Sequence, residues 1–86
     1  MNRLENSPKI VGRRLKTLIH ENRTTNRAIA ELLNVSPPLI TAYINGQREI
    51  SIKNALVLAH HFQVRIEWLL NIGDNPDQKE TKGESK

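Results

Sequence analysis

Few side chains in this 86-residue sequence stand where they could do chemistry. His60 and His61 invite a metal reading. Adjacent residues on a helix point about 100° apart, so the two do not chelate one ion, and no carboxylate or third histidine lies at ligand spacing. No Ser/His/Asp set, paired carboxylates or phosphate-cradling glycine loop emerges. Nothing here argues for an enzyme, and no cofactor or metal is expected. What remains is cationic. The formal net charge is +4, and its distribution says more than its sum. Arg3, Lys9, Arg13, Arg14, Lys16 and Arg23 in the first segment face only Glu5 and Glu21. Arg27, Arg48, Lys53 and Arg65 are set against Glu31, Glu49 and Glu67, and the last residues are slightly acidic. Such a field suits a polyanion such as DNA. A solvated basic face accounts for the charge alone equally well.

The composition narrows the classes further. Eighty-six residues allow one domain at most with a modest core. The sequence has no cysteine, so neither a disulfide nor a thiolate metal site is expected, which fits a reducing cytoplasm. No apolar run approaches the roughly 18 residues of a membrane span, and no signal peptide opens the chain.

The elements that must position the cations read as five short helices without strand-like alternation. Ser7 and Pro8 form a helix start, followed by Val11, Leu15, Leu18 and Ile19 at helical spacing. Gly12 weakens this helix by about 1 kcal/mol relative to Ala, which points to close packing or approach to a ligand. Thr24 and Thr25 cap a second helix whose apolar set is Ala28, Ile29, Leu32 and Leu33, with Ala30 at its edge. Asn34 stands where a left-handed C-cap belongs. Ser36 caps a third helix whose first turn holds Pro37 and Pro38, tolerated because first-turn N–H groups have no intrahelical partner. Gly46 ends it. Ser51 caps a fourth, with Ile52, Ala55, Leu56, Leu58, Ala59 and Phe62 as core candidates. A fifth runs from Arg65 to Asn71 with Ile66, Trp68, Leu69 and Leu70, and Gly73 stops it. The expected organisation is a disordered arm over 1–7, a helical domain over 8–73 and a disordered tail over 74–86.

Residues 26–45 carry the function. Two helices of about eight residues, joined only by Asn34, Val35 and Ser36, must cross steeply, as in a helix-turn-helix. Ala30 is small where the second helix comes close. Ile29, Leu33, Val35, Ile40 and Tyr43 are apolar where the two helices face each other. At 100° per residue, Pro37, Pro38, Thr41, Ala42 and Asn45 fall within an arc of about 140°, opposite Leu39, Ile40 and Tyr43. A small outer face of this kind can enter a major groove.

Four stretches carry a family resemblance: Val11 to Lys16 (VGRRLK), TNRAIAELLNVS (25–36), LITAYINGQREIS (39–51) and HFQVRIEWLLNIGD (61–74). Over about residues 8–73 the sequence resembles the Xre family of phage and bacterial regulators, which includes lambda repressor and Cro. The resemblance implies an all-α, five-helix lambda-repressor-like domain. It implies a phage-type or prophage-type repressor that binds a palindromic operator as a homodimer, with half-sites roughly 34 Å apart. The implied location is the cytoplasm of a bacterial or phage-infected cell, on the nucleoid. Asn26 takes the place of a phosphate-contacting Gln. Pro37, Pro38, Thr41 and Ala42 stand where the family reads bases, Asn45, Gln47 and Arg48 where it touches backbone, and Ser36 is assigned to the same DNA-binding set. Arg13, Arg14 and Arg27 join the set as phosphate contacts.

Two departures stand out. Pro37-Pro38 replaces a polar pair that does much of the family's direct reading, which leaves apolar contact, for instance with thymine methyls, or readout of DNA shape. Ile44 replaces a Glu that pairs in many members with an Arg at the position of Arg14, so the partner of Arg14 is open. Trp68, Leu69, Leu70 and Ile72 offer more apolar surface than so short a helix buries, which points to a dimer contact through Trp68, Leu69 and Ile72. The alternative is a protein-interaction module on the same fold, of the antitoxin or anti-regulator kind, using the rigid apolar corner Pro37-Pro38-Leu39.

Overall fold

In the computed structural model, residues 3–80 are described, with side chains from Pro8 onward. Five helices lie among them: α1 (Arg3–Glu21), α2 (Asn26–Leu33), α3 (Pro37–Ile44), α4 (Ile52–Phe62) and α5 (Ile66–Leu70). The only β-type pairing in this range is an isolated antiparallel bridge between Val64 and Glu80. The chain divides into two compact units, one up to Ile50 and one from Ser51 onward.

In the first unit, α3 packs against both α1 and α2. Its core is Leu15 and Leu18 from α1, Ile29, Ala30 and Leu33 from α2, and Ile40 and Tyr43 from α3, all buried. Ala30 is 1% exposed, whereas Ala28 and Leu32 face solvent. The buried stripe of α2 is therefore turned by one residue from the expected one, because the small side chain marks the line of closest approach. The tightest contact is at Gly12. A Cβ built there would collide with the carbonyl oxygens of Tyr43 and Ile44 and lie 2.8 Å from the Ile44 carbonyl carbon. The missing side chain lets α1 lie directly on the last turn of α3.

The connections share one solution. Arg23, Asn34, Gly46, Gln63 and Asn71 each adopt positive φ just past a helix. In each case the next N–H reaches back five residues: Thr24 to Ile19, Val35 to Ala30, Gln47 to Ala42, Val64 to Ala59 and Ile72 to Glu67, at 2.9–3.0 Å. These are Schellman closures, and they satisfy carbonyls that the helix ends would otherwise leave open. Asn34, at φ 59° and ψ 47°, holds the expected left-handed position. At the other ends, Thr25 Oγ1 accepts from the Ala28 N–H at 3.0 Å and Ser51 Oγ from the Asn54 N–H at 3.1 Å.

In the second unit α4 packs on α5, and Ala55, Leu58, Ala59, Val64, Trp68 and Leu69 are buried. Ile52 and Leu56, expected in the core, are 61% and 53% exposed. Two boundaries differ from the sequence reading. The arm expected to be disordered over 1–7 is helical over 3–7, and Pro8 lies inside α1 instead of opening it. Pro8 is the sixth residue of α1, so its ring removes one hydrogen bond near the helix start and leaves the longer stretch that follows intact. Residues 1 and 2 lie outside the described range. The tail expected to be disordered over 74–86 folds back over 74–80. The Arg65 N–H donates to Lys79 O at 2.9 Å, the Arg65 guanidinium to Gln78 Oε1 at 3.1 Å, and Lys79 Nζ sits 5.2 Å from the Trp68 ring centroid. Backbone pairing and a cation–π contact order this segment without apolar side chains. Residues 81–86 lie outside the described range.

Two outcomes are expected. Gly12→Ala gains about 1 kcal/mol of helix propensity but overpacks against backbone, which costs about 1–3 kcal/mol. Urea unfolding is expected to register a net loss of up to roughly 2 kcal/mol, and raised stability would contradict the close approach. Ending the chain at Gly73 removes the cover from Trp68, so its fluorescence should shift to the red and the melting temperature should fall. An unchanged emission maximum would show that the returning segment does not shield it.

Candidate nucleic-acid interface

Of the residues assigned to DNA contact, those of α2, α3 and the following turn are placed by the closures just described. Asn34 turns the chain and Val35 bonds back to Ala30, so only three residues separate α2 from α3. Ile40 and Tyr43 are then driven into the core, at 0% and 4% exposure. This fixes the rotation of α3 and presents Pro37, Pro38, Thr41 and Asn45 to solvent, with Ala42 half-buried. Gln47 and Arg48 follow in the exposed turn, Arg27 is exposed on α2, and Asn26 is half-buried at its first position.

Ser36 stands at the N-cap position of α3, yet its side chain makes no capping bond. A cap hydroxyl accepts from the second or third helical N–H. The second is Pro38, which has none, and the Leu39 N–H donates instead to the Ser36 carbonyl at 3.0 Å. The helix terminus is thus closed at the backbone, and the Ser36 hydroxyl takes no part in it.

On α1, Arg13 and Lys16 are exposed, while Arg14 is half-buried and already engaged in an interaction. Lys9 is a member of the surface that sequence reasoning passed over. A Cβ built at Gly46, which has φ 76°, would lie 2.9 Å from Lys9 Cγ and 3.2 Å from Lys9 Cα. Lys9 therefore lies directly against the turn that follows α3. Lys9, Arg13 and Lys16 follow at i, i+4 and i+7 and so share one side of α1. This basic stripe begins beside the Gly46–Arg48 turn. The signal was in the sequence as spacing, but nothing there tied the stripe to residue 46.

Residues assigned to other roles fall elsewhere. Trp68 and Leu69 are buried within the chain at 8% and 0% exposure, so the expected dimer contact is corrected to exclude them. Ile72 is exposed at 46%. His60 and His61 are both exposed, with the His61 ring edge-on to Phe62 at 5.0 Å. Among the described residues no group of three or more His, Cys, Asp or Glu could hold a metal, and no helix is long and apolar enough to cross a membrane.

A family model described as Helix-turn-helix matches residues 15–69. A transcriptional regulator from Listeria innocua is similar at 30% identity and TM-score 0.70, covering 74% of this chain; the chain spans 60% of that regulator's length. The restriction-modification controller protein C.AhdI from Aeromonas hydrophila has TM-score 0.65 at 24% identity, over 72% of this chain and 94% of its own. The clp gene regulator ClgR from C. glutamicum has TM-score 0.65 at 22% identity, over 74% and 83% respectively. The last two likenesses are of fold. No curated protein gives a significant match. The family match spans both helices of the crossing motif, its turn and the core that orients it, and the chain belongs to the helix-turn-helix family of Xre and lambda-repressor-like regulators.

Proposed function

We propose that the protein is a sequence-specific DNA-binding transcriptional regulator, with α3 as the helix that enters the major groove. The observation that carries this reading is the pairing of an exposed, uncharged α3 face with exposed cations around it. Pro37, Pro38 and Thr41 form the face, with Asn45 just past its end; Lys9 lies against the following turn, Arg48 stands in that turn, and Arg13 and Arg27 are exposed on the two helices that pack on α3. Phosphate contacts from the cations, with Asn26 and Gln47, set register and supply salt-dependent affinity, and α3 supplies discrimination. Arg14, assigned to the same contacts, is half-buried and already engaged in an interaction, so the exposed cations carry more of the reading. The similarity to the Listeria innocua transcriptional regulator favours this reading over a module that binds protein alone.

The regulator acts as a homodimer on a palindromic operator, as a phage-type repressor would. Support comes from unburied apolar surface in the second unit. Ile52 and Leu56 lie one turn apart on α4 and are 61% and 53% exposed, with Val57 at 37% and Ile72 at 46%. A surface of this kind is a candidate for self-association.

Gel-shift titration against DNA selected from a random pool tests the first claim. Thr41→Glu puts a carboxylate into the groove and is expected to cost more than about tenfold in specific affinity with circular dichroism unchanged. A protein with no preference over bulk DNA at low salt would contradict it. For the dimer, sedimentation should return twice the chain mass, and Leu56→Asp should return the monomer. A wild-type monomer both free and on DNA would rule the dimer out.

A further inference from the structure

Direct reading of a base pair needs particular groups, and α3 lacks most of them. From Ser36 to Ile44 there is no charged or amide side chain. Bidentate contact to guanine calls for Arg or Lys, and to adenine for Asn or Gln. Backbone donors are missing too. Pro37 and Pro38 have no N–H, and the Leu39 N–H is spent on the Ser36 carbonyl. The polar groups left are the Ser36 and Thr41 hydroxyls, since Tyr43 is buried. Everything else the face presents is hydrocarbon: the Pro37 and Pro38 rings, the Thr41 methyl and part of Ala42. The polar amides of Asn45 and Gln47 and the Arg48 guanidinium come only after the helix has ended.

The major-groove edges of the four base pairs carry one apolar group, the C5-methyl of thymine. An apolar face with few hydrogen-bonding groups has that as its matching feature. We propose that α3 is a reader of pyrimidine C5-methyl groups. Pro37 and Pro38 pack on thymine methyls in each half-site, and Thr41 adds one hydroxyl contact beside them. A 5-methylcytosine presents the same methyl, so the surface accepts it in a place where unmodified cytosine is disfavoured. This inference rests on the proposed DNA-binding role and specifies what that role recognises.

The test uses the full chain and the duplex it selects from a random pool. Single thymines are replaced by deoxyuridine, which removes only the methyl. One or two positions per half-site should each lose about fourfold in affinity, the value expected for one buried methyl. Where cytosine stands at such a position, 5-methylcytosine should bind several-fold more tightly than cytosine. In the doubly substituted Pro37→Ala, Pro38→Ala protein the deoxyuridine penalty should fall towards onefold. Helix-initial prolines contribute no donors, so this variant is expected to fold, and circular dichroism checks it. If the duplex is bound selectively but deoxyuridine has no effect at any position, the methyl-reading inference is overturned and the DNA-binding role stands. If the penalty persists undiminished in the double variant, the methyls are read by other residues and the assignment to Pro37 and Pro38 fails. If no sequence is selected at all, both readings fail together.

Discussion

At Gly12 the backbone of α1 lies against the carbonyl groups of Tyr43 and Ile44, at a separation that admits no side chain. Three residues earlier, Lys9 lies against Gly46 in the turn that follows. These two contacts pin the C-terminal end of α3 from outside the crossing motif. The Asn34 closure and the buried Ala30 fix its beginning. A short helix held at both ends, with Ile40 and Tyr43 sunk in the core, has neither rotation nor tilt left to adjust. The exposed face of α3 follows from that restraint. The glycine weakens α1 by about 1 kcal/mol as a helix former, and the close approach is what it gives in exchange.

The helix ends tell a related story. Five turns close with the same backward hydrogen bond, yet only one of the five left-handed residues is glycine. Arg23 and Gln63 hold conformations that favour glycine or asparagine. The closure satisfies two open carbonyls at each site, a gain that outweighs the local cost. In α3 the bargain is different at the other end. Two prolines preset the helical φ but remove the donors that a cap hydroxyl would use. The same two residues make the front of α3 rigid, uncharged and poor in hydrogen bonds, so the physical choice that starts the helix also sets what it can recognise.

Much of this was legible in the sequence, for physical reasons. Asn34 announces the turn because few residues other than glycine sit well at positive φ. The three-residue connection forces a steep crossing, and period 3.6 places Ile40 and Tyr43 inside. Other features were not legible. Periodicity assigns an apolar face but cannot say whether a neighbour covers all of it, so Leu32, Ile52 and Leu56 looked like core and are exposed. Gly12 signalled close approach but not to what. The return of residues 74–80 depends on hydrogen bonds from the Arg65 N–H and guanidinium and on a cation over Trp68, interactions that leave no hydrophobic pattern. Lys9 reads as an ordinary surface cation until Gly46 is found beside it.

In the proposed function, α3 and the α1 stripe beside its last turn form one surface for duplex DNA. Backbone amide shifts in a nuclear magnetic resonance titration with a selected duplex test it most directly. The largest changes are expected at Leu39, Thr41, Asn45 to Arg48, Arg27 and Lys9 to Arg13. Changes centred on α5 and the residues that return over it, with α3 silent, would contradict it.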